Sequence, residues 1–250
     1  MRSTRRTVVR LCTCGDCDIM RLRIRFEKSD AVRFCSHKDV VRIFQRCFTA
    51  AAIPVCYSLG FHPHMRMSFG PPIKTGWYGL DEYMDVCLEK PVGMFLERIH
   101  EHLPGGLTVR GYGQITDDRV PKLANDICAA AYVVGIRTED TEPGGAYHVP
   151  SLDKAKQVIK EQFAGAETSG GILPEVVDAD VTAATDGVRI EYTTTMLSGR
   201  VVPPHDVVSA AFADPEDLPM PIRVERTAQF VCRNGEYLSP LDQRVIQGQT

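Results

Sequence analysis

Apolar and polar residues alternate from Met20 onward, with Leu22, Ile24 and Phe26 interleaved with Arg21, Arg23 and Arg25. That period of two predicts a half-buried strand. The period then changes. Ser36-His37-Lys38-Asp39 has the Ser-x-x-acid form of a capped helix start. Behind it Val40, Val41, Phe44, Cys47, Phe48 and Ala51 recur at helical spacing, and Pro54 closes the element. A loop through Gly60 and Pro63 leads to a predicted strand over residues 65–69, a Pro/Gly-rich loop over 70–79 and a strand over 82–88. Next, Val92, Phe95, Leu96, Ile99 and Leu103 mark one face of a helix, which Pro104-Gly105-Gly106 stops before a strand over 107–112.

The resulting order, βαββαβ, repeats after Val120. Strands over 130–137, 179–184, 188–195 and 222–232 enclose helices over 151–164 and 204–212. Two such units in tandem predict an α+β protein of paired ferredoxin-like domains, each an antiparallel sheet with both helices on one face. The predicted domains are residues 20–120 and 121–250. Residues 1–19 fit neither unit and are expected to form an extension. The two halves share a pattern and no residue-level identity.

Composition changes the picture in three ways. At 44% hydrophobic and 24% charged residues the chain has the balance of an ordinary globular protein rather than a disordered one. No window reaches eighteen apolar residues, and Arg2, Arg5, Arg6 and Arg10 are followed by no apolar signal core, so a cytoplasmic protein without membrane partners is expected. The nine cysteines read as reduced thiols, with Cys47, Cys56 and Cys87 serving as small hydrophobes. Residues 1–120 hold 18 Lys/Arg against 13 Asp/Glu, whereas residues 121–250 hold 11 against 19. A basic half joined to an acidic one points to a polyanionic or acidic partner for the first.

Three stretches carry candidate chemistry. On the first helix, Lys38, Arg42, Gln45, Arg46 and Thr49 fall opposite the apolar face as a basic stripe, with Arg42 and Arg46 one turn apart, which suits two neighbouring phosphates or one clamped carboxylate. A solvated helix face explains the same pattern. Ser36 and Asp39 read as caps, while His37, in the first turn, is either kept neutral by the helix N-terminus to suit a base or a ligand, or equally an exposed first-turn residue. The second stretch, residues 60–72, packs His62, His64 and Arg66 among glycines and prolines; Gly60 and Pro63 shape this loop, and Lys74 follows it. His62-x-His64 with His37 or Cys35 is one metal hypothesis, but recognition of phosphate or nucleobase accounts for the residues without an ion. The third, Cys12-x-Cys14-x-x-Cys17, lacks a fourth ligand nearby and is read as no site. In the acidic half, His148 and His205 sit at helix starts, where a structural role suffices. No dinucleotide, phosphate-loop, zinc-protease or serine-hydrolase motif is present, and no cofactor is expected.

Taken in order, Arg23-Ile-Arg-Phe-Glu-Lys28, Arg33-Phe-Cys-Ser-His-Lys-Asp39, Phe44-Gln-Arg46, Ile53-Pro-Val-Cys-Tyr-Ser58, Gly60-Phe-His-Pro-His64, Met67-Ser-Phe-Gly-Pro-Pro72 and Gly76 to Glu82-Tyr83 resemble the radical-SAM-linked protein family. The match is close over residues 20–88 and thin afterwards. Lys38 and Met65 depart from the family pattern, where leucine and proline are frequent. The resemblance implies association with a radical S-adenosylmethionine protein and an accessory role in modifying RNA or a ribosome-associated substrate. The tandem pattern is also similar, at the level of fold alone, to CRISPR repeat-processing endoribonucleases. The leading expectation is an accessory protein that binds tRNA or ribosomal RNA through Lys38, Arg42, Arg46, Arg66 and Lys74. The alternatives are an endoribonuclease or metal-dependent RNA-modifying enzyme built on His37, His62 and His64, and a protein-docking module.

Overall fold

The computed structural model describes residues 19–117, 119–137, 152–164, 167–168, 171–184, 187–212 and 223–248. Cys12, Cys14, Cys17 and His148 lie outside them. The elements of the first half are β1 (Met20–Lys28), α1 (His37–Ala50), β2 (Met67–Phe69), β3 (Tyr78–Leu88), α2 (Phe95–His100) and β4 (Leu107–Ile115). A short α3 (Leu123–Asp126) leads to β5 (Ile127–Arg137), α4 (Leu152–Gln162), the two-residue strands β6 (Glu167–Thr168) and β7 (Gly171–Ile172), β8 (Val176–Ala184), β9 (Gly187–Thr195), α5 (Pro204–Ala211), β10 (Arg223–Arg233), β11 (Glu236–Leu238) and α6 (Gln243–Ile246).

Where the alternation predicts two sheets, the structure has one large, mostly antiparallel sheet in the order β4-β1-β3-β10-β5-β9-β8, with β2 also on β3 and β11 on β10. The physical reason lies in β2. It is three residues long and covers only Met84–Val86 of the eleven-residue β3. The other end of β3 keeps free backbone donors and acceptors, and an open sheet edge recruits another strand. Here β10 takes that place in parallel, Glu225 beside Tyr78 and Arg226 beside Gly79.

The apolar positions of β1 face the two helices of the first half. Leu22, Ile24 and Phe26 pack with Phe44 and Phe48 of α1, Phe95 and Ile99 of α2, and Met84 and Val86 of β3. In the second half Val134, Ile190 and Tyr192 pack with Ile159 of α4 and Val207 and Val208 of α5. The opposite face of β1 is not the solvated surface that alternation with arginine suggests, because Arg23 is completely buried. Its Nε donates to Asp85 Oδ1 at 2.9 Å and its Nη1 to the Pro240 carbonyl at 3.3 Å, with Asp126 3.8 Å away. Arg21 donates to the same Asp85 and to the carbonyls of Val120 and Pro121. Buried charges need such partners, and Asp126 and Pro240 reach Arg23 from more than 100 residues along the chain.

No described helix is long and apolar enough to cross a membrane.

Candidate functional site

The helix start at Ser36 is built as a reciprocal cap. Asp39 N donates to Ser36 Oγ at 3.3 Å, and Ser36 N donates to Asp39 Oδ2 at 3.1 Å. These bonds, led by the Ser36 hydroxyl, hold the Asp39 carboxyl below the usual carboxylate range. The cap aims His37 across the end of the sheet, where its ring meets Phe69 edge-on at 5.3 Å. There His37 lines a cavity of about 20 Å3 with Lys28, Glu82, Phe69, Gly70 and Pro72, a volume that suits a single water. Lys28 is 2% and Glu82 6% exposed. Burial lowers the pKa of the Lys28 ammonium, with Glu82 pulling the other way. Burial also lowers the pKa of His37 below its ordinary value, against the pull of Glu82 and with the push of Lys28.

Glu82 is held from its other side by Arg226, 2% exposed, whose Nε donates to Glu82 Oε1 at 2.8 Å and whose Nη2 donates to Glu82 and to the Pro71 carbonyl. Beyond Arg226 and the Pro71-Pro72-Ile73 loop opens a cleft of about 340 Å3 between the two halves. Trp77 forms its aromatic wall, in edge-on contact at 6.2 Å with the buried Tyr132, and Lys74 lies 5.2 Å over the indole. Arg200 enters from a tight turn whose Ser198 and Gly199 both have positive φ.

A third place lies on the opposite face of the sheet. Ser58 N donates to the His64 carbonyl at 2.8 Å, His64 N donates to Ser58 Oγ at 3.1 Å, and Ser58 Oγ also lies 2.8 Å from His64 Nδ1. These bonds close the loop, with Gly60 at φ +130° near its tip and Phe61 wholly exposed. His64, Arg66, Arg21, Lys122, Ser58 and Asp85 line an open groove of about 810 Å3. Arg42, Gln45, Arg46 and Thr49 form a fourth, shallow groove of about 360 Å3 on the outer face of α1, with no acidic residue among its walls.

The structure thus distributes the residues singled out in the sequence. Arg42 and Arg46 share one face of α1. His64 and Arg66 share the groove on the far side of the sheet, Lys74 sits in the inter-half cleft, and the exposed His62 lines none of these cavities. His37 and His64 line different cavities on opposite faces, since Phe69 beside His37 and Ser68 beside Asp85 are successive residues of β2. Among the described residues no group of three or more His, Cys, Asp or Glu is placed to hold a metal. Lys28, Glu82 and Arg226 were legible only as charges at inward positions of strands. Lys28 continues the register of Leu22, Ile24 and Phe26, Glu82 that of Met84 and Val86, and Arg226 that of Val224.

Comparison with known proteins adds one family. The model of the family described as "Uncharacterized protein conserved in bacteria (DUF2344)" matches residues 21–183. No curated protein matches the chain. Among solved structures, an unknown protein from Galdieria sulphuraria is 14% identical, with 77% of this chain and 90% of that chain covered and a TM-score of 0.25.

Proposed function

The chain belongs to this conserved bacterial family, and on that premise we propose that it is an RNA-binding accessory protein working beside a radical S-adenosylmethionine enzyme. The observation that carries the RNA half of this reading is the groove of about 810 Å3 in which Arg21, Arg66, Lys122 and His64 converge from three separate segments. Asp85, the acid in its wall, is already engaged by Arg21 and Arg23, so Arg66 and Lys122 are left to meet phosphates. Phe61, projecting from the loop that carries His64, offers a face on which an unpaired base can stack. The arginines of α1 supply a second phosphate-sized contact.

The radical-enzyme half rests on the motif resemblance alone. The strand order β4-β1-β3-β2 in one half and β10-β5-β9-β8 in the other supports reading both halves as ferredoxin-like units joined edge to edge after residue 120. We favour binding over cleavage because acid–base work on one phosphodiester needs two groups at a single bond, and His37 and His64 line separate cavities.

Binding of labelled tRNA and ribosomal RNA fragments at low salt tests the reading. Arg66→Ala with Lys122→Ala, and Arg42→Ala with Arg46→Ala, are each expected to weaken binding about tenfold or more and to reduce the salt slope by about one for each phosphate no longer neutralised. No binding at low salt, or binding indifferent to both pairs, overturns it.

A further inference from the structure

We infer that the cleft between the two halves binds a nucleoside monophosphate unit, either as a free nucleotide or as one unstacked residue of an RNA chain. Its volume, about 340 Å3, lies at the lower end of the range of ligand sites, enough for one nucleotide. Its chemistry is divided as such a ligand requires. Half-buried Trp77 supplies aromatic surface, with the buried Tyr132 packed edge-on against it, and prolines at 71, 72, 203 and 204 make the remaining walls stiff and apolar. The charges are all positive: Lys74 and Arg200 stand exposed at the cleft, while Arg226 lies in its wall with its charge already met by Glu82. No acidic residue lines the cleft. A neutral ring alone would leave the two exposed cations unused, and inorganic phosphate alone would leave the Trp77 indole unused. A base joined to a phosphate uses both.

Position supports the same conclusion. The cleft opens where the two half-sheets meet, at the short parallel pairing of Tyr78 and Gly79 with Glu225 and Arg226. Its two cationic segments are held by backbone in the left-handed region, Gly76 at φ +90° next to Trp77, and Ser198 and Gly199 at +51° and +77° next to Arg200. Of these, Ser198 is a non-glycine at positive φ, and backbone of that kind recurs at binding sites.

Trp77 is the single tryptophan of the chain, so its fluorescence reports on this cleft alone. The test titrates the full-length protein with AMP, GMP, CMP and UMP, with ribose 5-phosphate, free bases and inorganic phosphate as partial ligands. Saturable quenching by the nucleotides is expected, at least about tenfold tighter than by any partial ligand. Lys74→Ala with Arg200→Ala, both surface changes, is expected to weaken nucleotide binding about tenfold or more while leaving the response to free bases unchanged. Equilibrium dialysis with labelled nucleotide provides the same readout for Trp77→Ala. A short oligonucleotide in parallel separates the sources: quenching by mononucleotides identifies a free nucleotide as sufficient, and quenching by the oligonucleotide alone identifies a residue of RNA. Absence of saturable quenching by all of them up to about 1 mM, or quenching unaffected by the Lys74/Arg200 pair, overturns the inference. The Arg66/Lys122 and Arg42/Arg46 variants should retain the mononucleotide response, so this site and the RNA-binding grooves can fail independently.

Discussion

At the scale of single residues, Glu82 and Arg226 illustrate why charge can occupy a core position. Each alone would be an uncompensated buried ion; together they form a bidentate pair, with Arg226 also bonded to the Pro71 carbonyl. Breaking one side is therefore expected to cost far more than replacing both. Glu82→Ala should destabilise the protein by about 3–5 kcal/mol, whereas Glu82→Leu with Arg226→Met should recover much of that loss, short of neutrality because buried Lys28 still loses Glu82. Urea unfolding of the three proteins checks this, and a double variant as unstable as the single one would sink the argument. His37 gives a pH prediction. Burial holds its folded pKa below the ordinary value, so the unfolded chain binds the proton more tightly. Its contribution is accordingly complete above about pH 6.5 and is lost as pH falls through the lowered folded value. Proton NMR should place the His37 midpoint below 6.5, and His37→Asn should flatten the pH dependence of stability in that window.

At the scale of elements, α1 links stability to the site. Its cap satisfies backbone N–H groups that the helix cannot pair internally, and it also fixes where His37 enters the cavity. Ser36→Ala is expected to cost about 1 kcal/mol and to lower the melting temperature by roughly 2–4 °C. Calorimetry measures that loss. The same substitution should shift the ring resonances of His37, since the first turn loses its anchor, whereas an uncapped but unmoved helix would leave them in place.

This element was legible from spacing alone: Ser36 and Asp39 at one end, Pro54 beyond the other, and apolar residues every three or four positions between them. The β2 strand was legible as a strand but not in extent. Val55 and Tyr57 make only isolated bridges, with Leu88 and Met65, and the ladder on β3 starts at Met67. Its shortness is a property of the chain's path, not of its alternation, and it is what leaves β3 open to β10.

At the scale of the molecule, the joined sheet ties the halves together through more than two backbone pairings. Asp81 accepts from the Gln229 backbone at 2.8 Å, Arg226 holds Glu82, and Arg23 donates to the Pro240 carbonyl. Separating the halves would expose or orphan each of these groups. A single cooperative transition is expected, with Trp77 fluorescence, which reports the junction, and far-ultraviolet circular dichroism giving coincident urea curves. Residues 19–120 expressed alone should not reach the stability of the full chain, because buried Arg23 would lose both Asp126 and Pro240.

By itself, the sequence determined the order and kind of the longer elements, without the short α3, β6, β7, β11 and α6, and also the capped start of α1 and the basic outer face of that helix. Periodicity and capping depend on neighbours a few residues apart, and those neighbours are written in order along the chain. Tertiary structure alone decided that the two sheets become one, that Arg23, Glu82 and Arg226 are paired inside, and that His37 and His64 part to opposite faces. The partners of Arg23 and Arg226 lie 62 to 217 positions away, and the face a residue takes depends on which strand lies beside it. An alternating pattern records that a position points inward. It does not record which distant charge will be waiting there.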